Sequence, residues 1–241
     1  MYAILSDIHG NMFALQSVLN DMKKFNIQGV ILLGDLIDYG MQSNEVIDFF
    51  QNQSAYDIIC NIWGNHEMAI MTSQYDKFSS LRGVQCAKYT ETILSPKTKQ
   101  YIKEKMCHKG WYSFDLEGKK ILAVHGSKED YYWKAIEPDN VKGDYQDYDL
   151  VLSGHSHYSF IFTKFYETYN LAKRNKHVVC FINPGSVGQP RNHNANAQYA
   201  LLDADNMTVV LRAVEYDIEA AMNLYNNHVD EFYRKRLKEG I

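Results

Sequence analysis

The 241-residue chain has no Cys-x-x-Cys pair, no basic excess and no long apolar run. Its four cysteines, Cys60, Cys86, Cys107 and Cys180, stand far apart, which argues against a zinc knuckle or a disulfide framework and favours reduced thiols in a cytoplasmic protein. With 25 Lys and Arg against 29 Asp and Glu the net charge is −4, so the electrostatic footprint of duplex nucleic-acid binding is missing. A small anion held through metal stays compatible with that balance. The first apolar stretch, Tyr2 to Leu5, stops at Ser6-Asp7, so neither a signal peptide nor a membrane span is readable and no membrane partner is expected. Internal repeats and low-complexity tracts are also missing. At 46% hydrophobic residues the chain supports one sizeable core, hence a single domain over 1–241.

What is present begins as a βαβ unit. Tyr2-Ala3-Ile4-Leu5 reads as a buried strand, Met12, Leu15, Leu19, Met22 and Phe25 recur at helical spacing, and Val30-Ile31-Leu32-Leu33 reads as a second strand. Ile47, Phe49 and Phe50 suggest another helix before a strand at Ile58-Ile59. Asp35 lies 28 residues after Asp7, and Asn65 lies 30 after Asp35, one βαβ unit each, which sets the three side by side at neighbouring strand ends. Residues 72–112, rich in Lys and Tyr and broken at Ser95-Pro96, read as an inserted helical cap. Further strands are expected at 121–125, 150–152, 159–163, 178–182, 199–203 and 209–214, the last two as a hairpin across Asp205-Asn206, with a helix from Ala220 to Leu237. The expectation is an α/β domain whose second half is mainly antiparallel.

Five short motifs fall where strands should end: Asp7-Ile8-His9, Gly34-Asp35-Leu36-Ile37-Asp38, Gly64-Asn65-His66-Glu67, His125-Gly126 and Gly154-His155-Ser156-His157. They hold five of the nine histidines. Carboxylate and imidazole are ligands for Mn, Fe or Zn, and glycine lets the backbone turn tightly there. Any one motif is ordinary turn chemistry; the set is not.

In order and content the motifs resemble the calcineurin-like metallophosphoesterase superfamily, and the resemblance continues through Asn183-Pro184-Gly185-Ser186-Val187-Gly188-Gln189-Pro190-Arg191. It implies a four-layer αββα sandwich with mixed sheets and two divalent ions per chain, Mn or Fe favoured over Zn. By that resemblance Asp7, His9 and His157 hold one ion, Asn65, His125 and His155 the other, and Asp35 bridges them. Two cations roughly 3.5–4 Å apart repel, so an anionic bridge is physically required. The implied reaction is in-line attack of a metal-bridging hydroxide on phosphorus, with His66 protonating the departing oxygen and Asp38 orienting His66. Glu67 reads as structural, and Asp38 would serve equally as a turn or cap carboxylate.

The resembling protein Ser/Thr phosphatases carry an Arg in G-D-x-x-D-R-G and another before G-N-H-E. This chain has Tyr39 and Trp63 there. Without those bidentate donors a phosphodiester or a dinucleoside polyphosphate, hence a nucleotide-like partner, is favoured over a monoester. A phosphomonoesterase or phosphoprotein phosphatase is the alternative, and a non-catalytic metal-binding scaffold a third. The N-P-G-S-V-G-Q-P-R stretch is similar to that of small bacterial phosphodiesterases and diadenosine tetraphosphatase-like members, which makes Arg191 a substrate-phosphate candidate and Arg82 a weaker one. Asn11 would contact the phosphate or cap the first helix. Tyr131, Tyr132 and Trp133 would stack a nucleobase or belong to the core. Phe232 to Lys238 reads as an amphipathic helix end or a dimer contact, so an oligomer is left open.

Overall fold

A computed structural model describes all 241 residues. The first half forms β1 (Tyr2–Leu5), α1 (Met12–Met22), β2 (Gly29–Leu32), α2 (Ser43–Asp48), β3 (Ile58–Asn61), α3 (Asn65–Thr72), α4 (Leu81–Ile93) and α5 (Pro96–Lys105). Then follow β4 (Trp111–Leu116), β5 (Lys119–Val124), β6 (Leu150–Ser153), β7 (Phe160–Glu167), β8 (Lys176–Asn183), β9 (Ala197–Asp203), β10 (Thr208–Val214), α6 (Ile218–Asn223) and α7 (Glu231–Glu239). No helix is long and apolar enough to cross a membrane.

Two five-stranded mixed sheets stack face to face, in the orders β10-β9-β1-β2-β3 and β4-β5-β6-β8-β7. β1 and β2 are fully buried parallel neighbours, as continuous apolar runs of four require, and β3, half-buried at Ile58 and Ile59, pairs parallel with β2. The seam between the sheets is dry: Ile4, Ile31, Leu33 and Ile62 meet Ile121, Leu150, Leu152 and Ile182. On its outer face the first sheet packs Leu5 and Leu32 against Leu15, Val18 and Met22 of α1. The outer face of the second sheet is covered thinly, by Ile136 and Tyr145 from the long connection after β5, packed on Val151, Val179 and Phe181.

Segment 72–112 contains α4, α5 and the start of β4. Its Ala87, Leu94, Tyr101 and Ile102 join the same apolar cluster as α1 and β1. Two expectations need correction, the absence of a strand before 121–125 and the single C-terminal helix. Strand β4 was hidden because only half-buried residues mark it, in the pattern of a strand with one wet face. The second half is mainly antiparallel, as expected, although β5, β6 and β8 run parallel through the middle of its sheet. The single helix over 220–237 is two: Leu224 ends α6, and Asp230, whose carboxylate accepts from the Phe232 N–H, starts α7 after Asn226-Asn227.

Candidate active site

All the motif residues lie at the ends of β1, β2, β3, β5 and β6, so both sheets feed one point. Many of them have unusual backbones. Asp7, His9, Asp35, Asp38, His155 and His157 all have φ between +48° and +72°, where a side chain costs on the order of 1 kcal/mol or more each. The strain persists because the rest of each loop is held. Glu67 Oε2 accepts from the N–H groups of Gly64 and Asp35, both at 2.8 Å, and its Oε1 from that of Leu36 at 2.7 Å, tying the loop after β2 to the start of α3. A Cβ on Gly64 would collide with the Asp35 carboxylate, which explains the glycine in that motif.

Three acceptor clusters result. Asp7 Oδ1 lies 3.3 Å from His157 Nε2 and 3.9 Å from His9 Nε2, while those two nitrogens are 3.3 Å apart. Asn65 Oδ1 lies 3.0 Å from His125 Nε2 and 2.9 Å from His155 Nδ1. Between them sits Asp35 Oδ2, 3.3 Å from His125 Nε2, 3.7 Å from His9 Nε2 and 3.9 Å from His66 Nε2. Ring orientation is fixed from behind: Nδ1 of His9, His125 and His157 faces the carbonyls of Ile37, Leu33 and Gln189. A proton on each Nδ1 leaves the Nε2 lone pair pointing inward.

Two lone pairs that face each other at 3.3 Å repel, and Asp7 Oδ1 is buried with no hydrogen-bond donor at all. Burial raises the Asp7 carboxyl to about 6 and drives His9 and His157 well below their usual range, so neither imidazole supplies the missing proton. Such a set fits cations. Asp35 differs: burial pushes its carboxyl up, but His125 and His66 outweigh burial and hold it well below the usual range, so it is anionic. Burial pushes His125 down, yet Asp35 raises it to about 9; a proton there and a divalent ion would answer the same acceptors, and metal binding displaces such protons.

His66 edges the Asp35 cluster and has a carboxylate partner of its own. Its Nδ1 is 2.6 Å from Asp38 Oδ2, and Asp38 Oδ1 accepts from Thr90 Oγ1 at 2.6 Å and from Cys86 Sγ at 3.2 Å. Burial lowers its pKa, but Asp35 and Asp38 together outweigh burial and raise it, and the ring lines the crevice. The crevice has a volume of about 340 Å³ and is lined by His66, His155, Lys77, Phe78, Trp133 and Arg191, among others.

The sequence profile of the calcineurin-like phosphoesterase superfamily domain matches residues 1–207. The chain belongs to the calcineurin-like phosphoesterase superfamily. As a member it is a metallophosphoesterase, hydrolysing phosphoesters with divalent metal ions. It is similar, at 28% identity over 245 residues, to an uncharacterized protein from Methanocaldococcus jannaschii, covering 98% of this chain and 97% of that one. Its fold is shared with a hypothetical protein from Pyrococcus horikoshii OT3 at TM-score 0.78 and 22% identity, over 100% and 99% of the two chains. A metallophosphoesterase from Sphaerobacter thermophilus shares it at TM-score 0.74 and 24% identity, over 100% and 98%.

Of the two roles expected for Asn11, the cap of the first helix is the one its hydrogen bonds serve. Its Oδ1 accepts from the Ala14 N–H at 3.0 Å and its Nδ2 donates to the Gly188 carbonyl at 3.1 Å, so this buried amide caps α1 and ties it to the loop after β8. Trp133 lines the crevice of this metallophosphoesterase, whereas Tyr131 lies against Trp111 and Tyr132 donates to the His108 carbonyl. A group without a role in the sequence reading is Ser6, whose Oγ donates to Asp7 Oδ2 at 2.5 Å, while Glu67, read as structural, holds the loops together. The Glu67 contact to the Gly64 N–H, three residues back, is a capping box visible in Gly64-Asn65-His66-Glu67, but its contacts to the N–H groups of Asp35 and Leu36, 32 and 31 residues away, give no local signal. Glu67→Gln would turn an amide NH₂ toward donors and is expected to cost about 2 kcal/mol of stability, read by urea unfolding in chelator. A loss under about 0.5 kcal/mol would show that the loops hold without it.

Proposed function

We propose that this metallophosphoesterase cleaves a phosphodiester or a dinucleoside polyphosphate. Asp7, His9 and His157 would hold one divalent ion, Asn65, His125 and His155 the second, with Asp35 Oδ2 between them. Mn or Fe suits this mixed oxygen and imidazole set. When bound, the ions supply Lewis acidity toward the phosphoryl oxygens and acidify a water into a nucleophile. His66 holds a proton at Nε2 and delivers it to the departing oxygen, while Asp38 fixes the ring and keeps it basic enough to be reprotonated.

The observation that carries the substrate class is the fate of Tyr39 and Trp63. Tyr39 is buried, packed edge-on to His66 at 4.5 Å and stacked on Tyr233 at 4.4 Å, and Trp63 Nε1 donates to the Ile102 carbonyl at 2.8 Å. Both positions are used for packing and offer the phosphate no cation. Of the two cations lining the crevice, Lys77 pairs with Asp130 at 3.1 Å and Arg191 pairs with no carboxylate. A single guanidinium suits a singly charged phosphoryl group better than a dianionic monoester. The cytoplasmic setting follows from the reduced thiols and is offered on the same footing.

Exhaustive chelation is expected to abolish turnover of bis(p-nitrophenyl) phosphate and Mn²⁺ to restore it, with kcat/KM above that for p-nitrophenyl phosphate. Turnover that survives chelation would overturn the metal reading. Preference for the monoester would overturn the substrate class and leave the metal reading intact.

A further inference from the structure

Arg191 is one of three guanidiniums beside the crevice that lack a counter-ion. The other two are Arg236 on α7 and Arg82 on α4, whose guanidinium carbons lie over the same ring, Phe232, at 4.4 and 3.9 Å from its centroid. Arg212 is the arginine that forms an ion pair, with Asp21. Arg82, Arg191 and Arg236 form none, and the Nε atoms of Arg191 and Arg236 are buried without a hydrogen-bond partner. Burial and the neighbouring Arg191 push the Arg236 guanidinium down to about 10, which still leaves it charged at neutral pH.

Placing like charges together in a half-buried setting is unfavourable, and buried donors without acceptors add to the cost. The apolar side of α7 explains how they are held there: Tyr233 stacks on Tyr39 and Leu237 is buried. It does not explain why arginine occupies these positions. Guanidinium forks are matched to phosphate oxygens, two donors to two acceptors. Arg191 lines the crevice, Arg236 has Arg191 and Arg82 as its charged neighbours, and Arg236 and Arg82 share the Phe232 ring, so the three follow one another from the crevice in the order Arg191, Arg236, Arg82; Lys77, the other cation of the lining, is already paired with Asp130.

We propose that Arg191, Arg236 and Arg82 form a track for a polyphosphate chain, so that the substrate carries further phosphates beyond the one attacked. This rests on the function proposed above and narrows it: a simple diester has one charge, which Arg191 meets alone, whereas a nucleoside or dinucleoside polyphosphate brings an anionic group for each guanidinium.

The test is calorimetric titration of the full chain loaded with Mn²⁺, at constant free Mn²⁺, with bis(methylene) triphosphate, which resists hydrolysis, and with orthophosphate. The wild type is expected to bind the triphosphate analogue about tenfold or more tighter than orthophosphate, through charge-assisted donors that orthophosphate cannot reach. In Arg236→Gln and in Arg82→Gln that margin is expected to shrink to about threefold or less, with Arg236→Lys in between. Both side chains pack on Phe232, so each Gln variant is checked by urea unfolding; Arg82 is exposed, and its variant is expected to keep wild-type stability while losing the charge. Equal wild-type affinity for the two anions, or a margin that both variants keep, would overturn the track. Turnover of bis(p-nitrophenyl) phosphate is measured separately: intact turnover with no triphosphate margin sinks the track alone, and no turnover with a clear margin sinks the activity alone.

Discussion

Asp35→Asn is expected to lower kcat/KM on bis(p-nitrophenyl) phosphate by about 10³-fold or more, equivalent to about 4 kcal/mol. The substitution keeps size and shape and removes only charge. Asp35 Oδ2 is the one carboxylate oxygen within 4 Å of His9, His66 and His125 together, and its Oδ1 accepts from the His66 N–H at 2.9 Å. An amide retains the second contact and loses the first, since two neighbouring cations then face a neutral oxygen or a pair of N–H donors. Metal analysis is expected to give two ions per chain for the wild type and at most one for the purified variant. A variant that keeps both ions and more than a tenth of the activity would rule out Asp35 as the bridge.

The second large effect is at His66. His66→Ala should reduce kcat by 10²–10⁴-fold, the usual range for a positioned acid, while leaving metal content unchanged. The loss should depend on what departs. A p-nitrophenolate leaves with little help, so the defect should be small there and grow on a diester with an alkyl alcohol as leaving group. Equal defects on both would make His66 a binding group and not an acid. Asp38→Asn should reproduce the same leaving-group trend at smaller size, because Thr90 and Cys86 still hold the side chain where His66 can meet it.

Much of the site was legible because strand ends are set by arithmetic. Steps of 28 and 30 residues, each one βαβ unit, bring Asp7, Asp35 and Asn65 to adjacent strand ends, and apolar runs before His125 and His155 bring those onto the facing sheet. What escaped was determined across distance. Strand β4 earns its place by pairing with β5, not by its own pattern. Which of its two expected roles Asn11 serves depends on Gly188, 177 residues away, whose carbonyl takes up the amide. Glu67, read as structural, fastens the Asp35 loop through backbone donors that no side-chain pattern announces. Arg236 was one basic residue in an amphipathic run until Arg191 and Arg82 were seen beside it.

The seam of the sandwich meets the outside at the acceptor clusters, with Asp7, Asp35 and Asn65 contributed by one sheet and His125, His155 and His157 by the other. Ions seated there would cross-link the halves of the fold, so loading and folding share one free energy. By mass action, chains made under metal starvation open more often and are the first that cellular proteases reach. The abundance of this protein, and not only its specific activity, should then follow the divalent-metal supply of the cell.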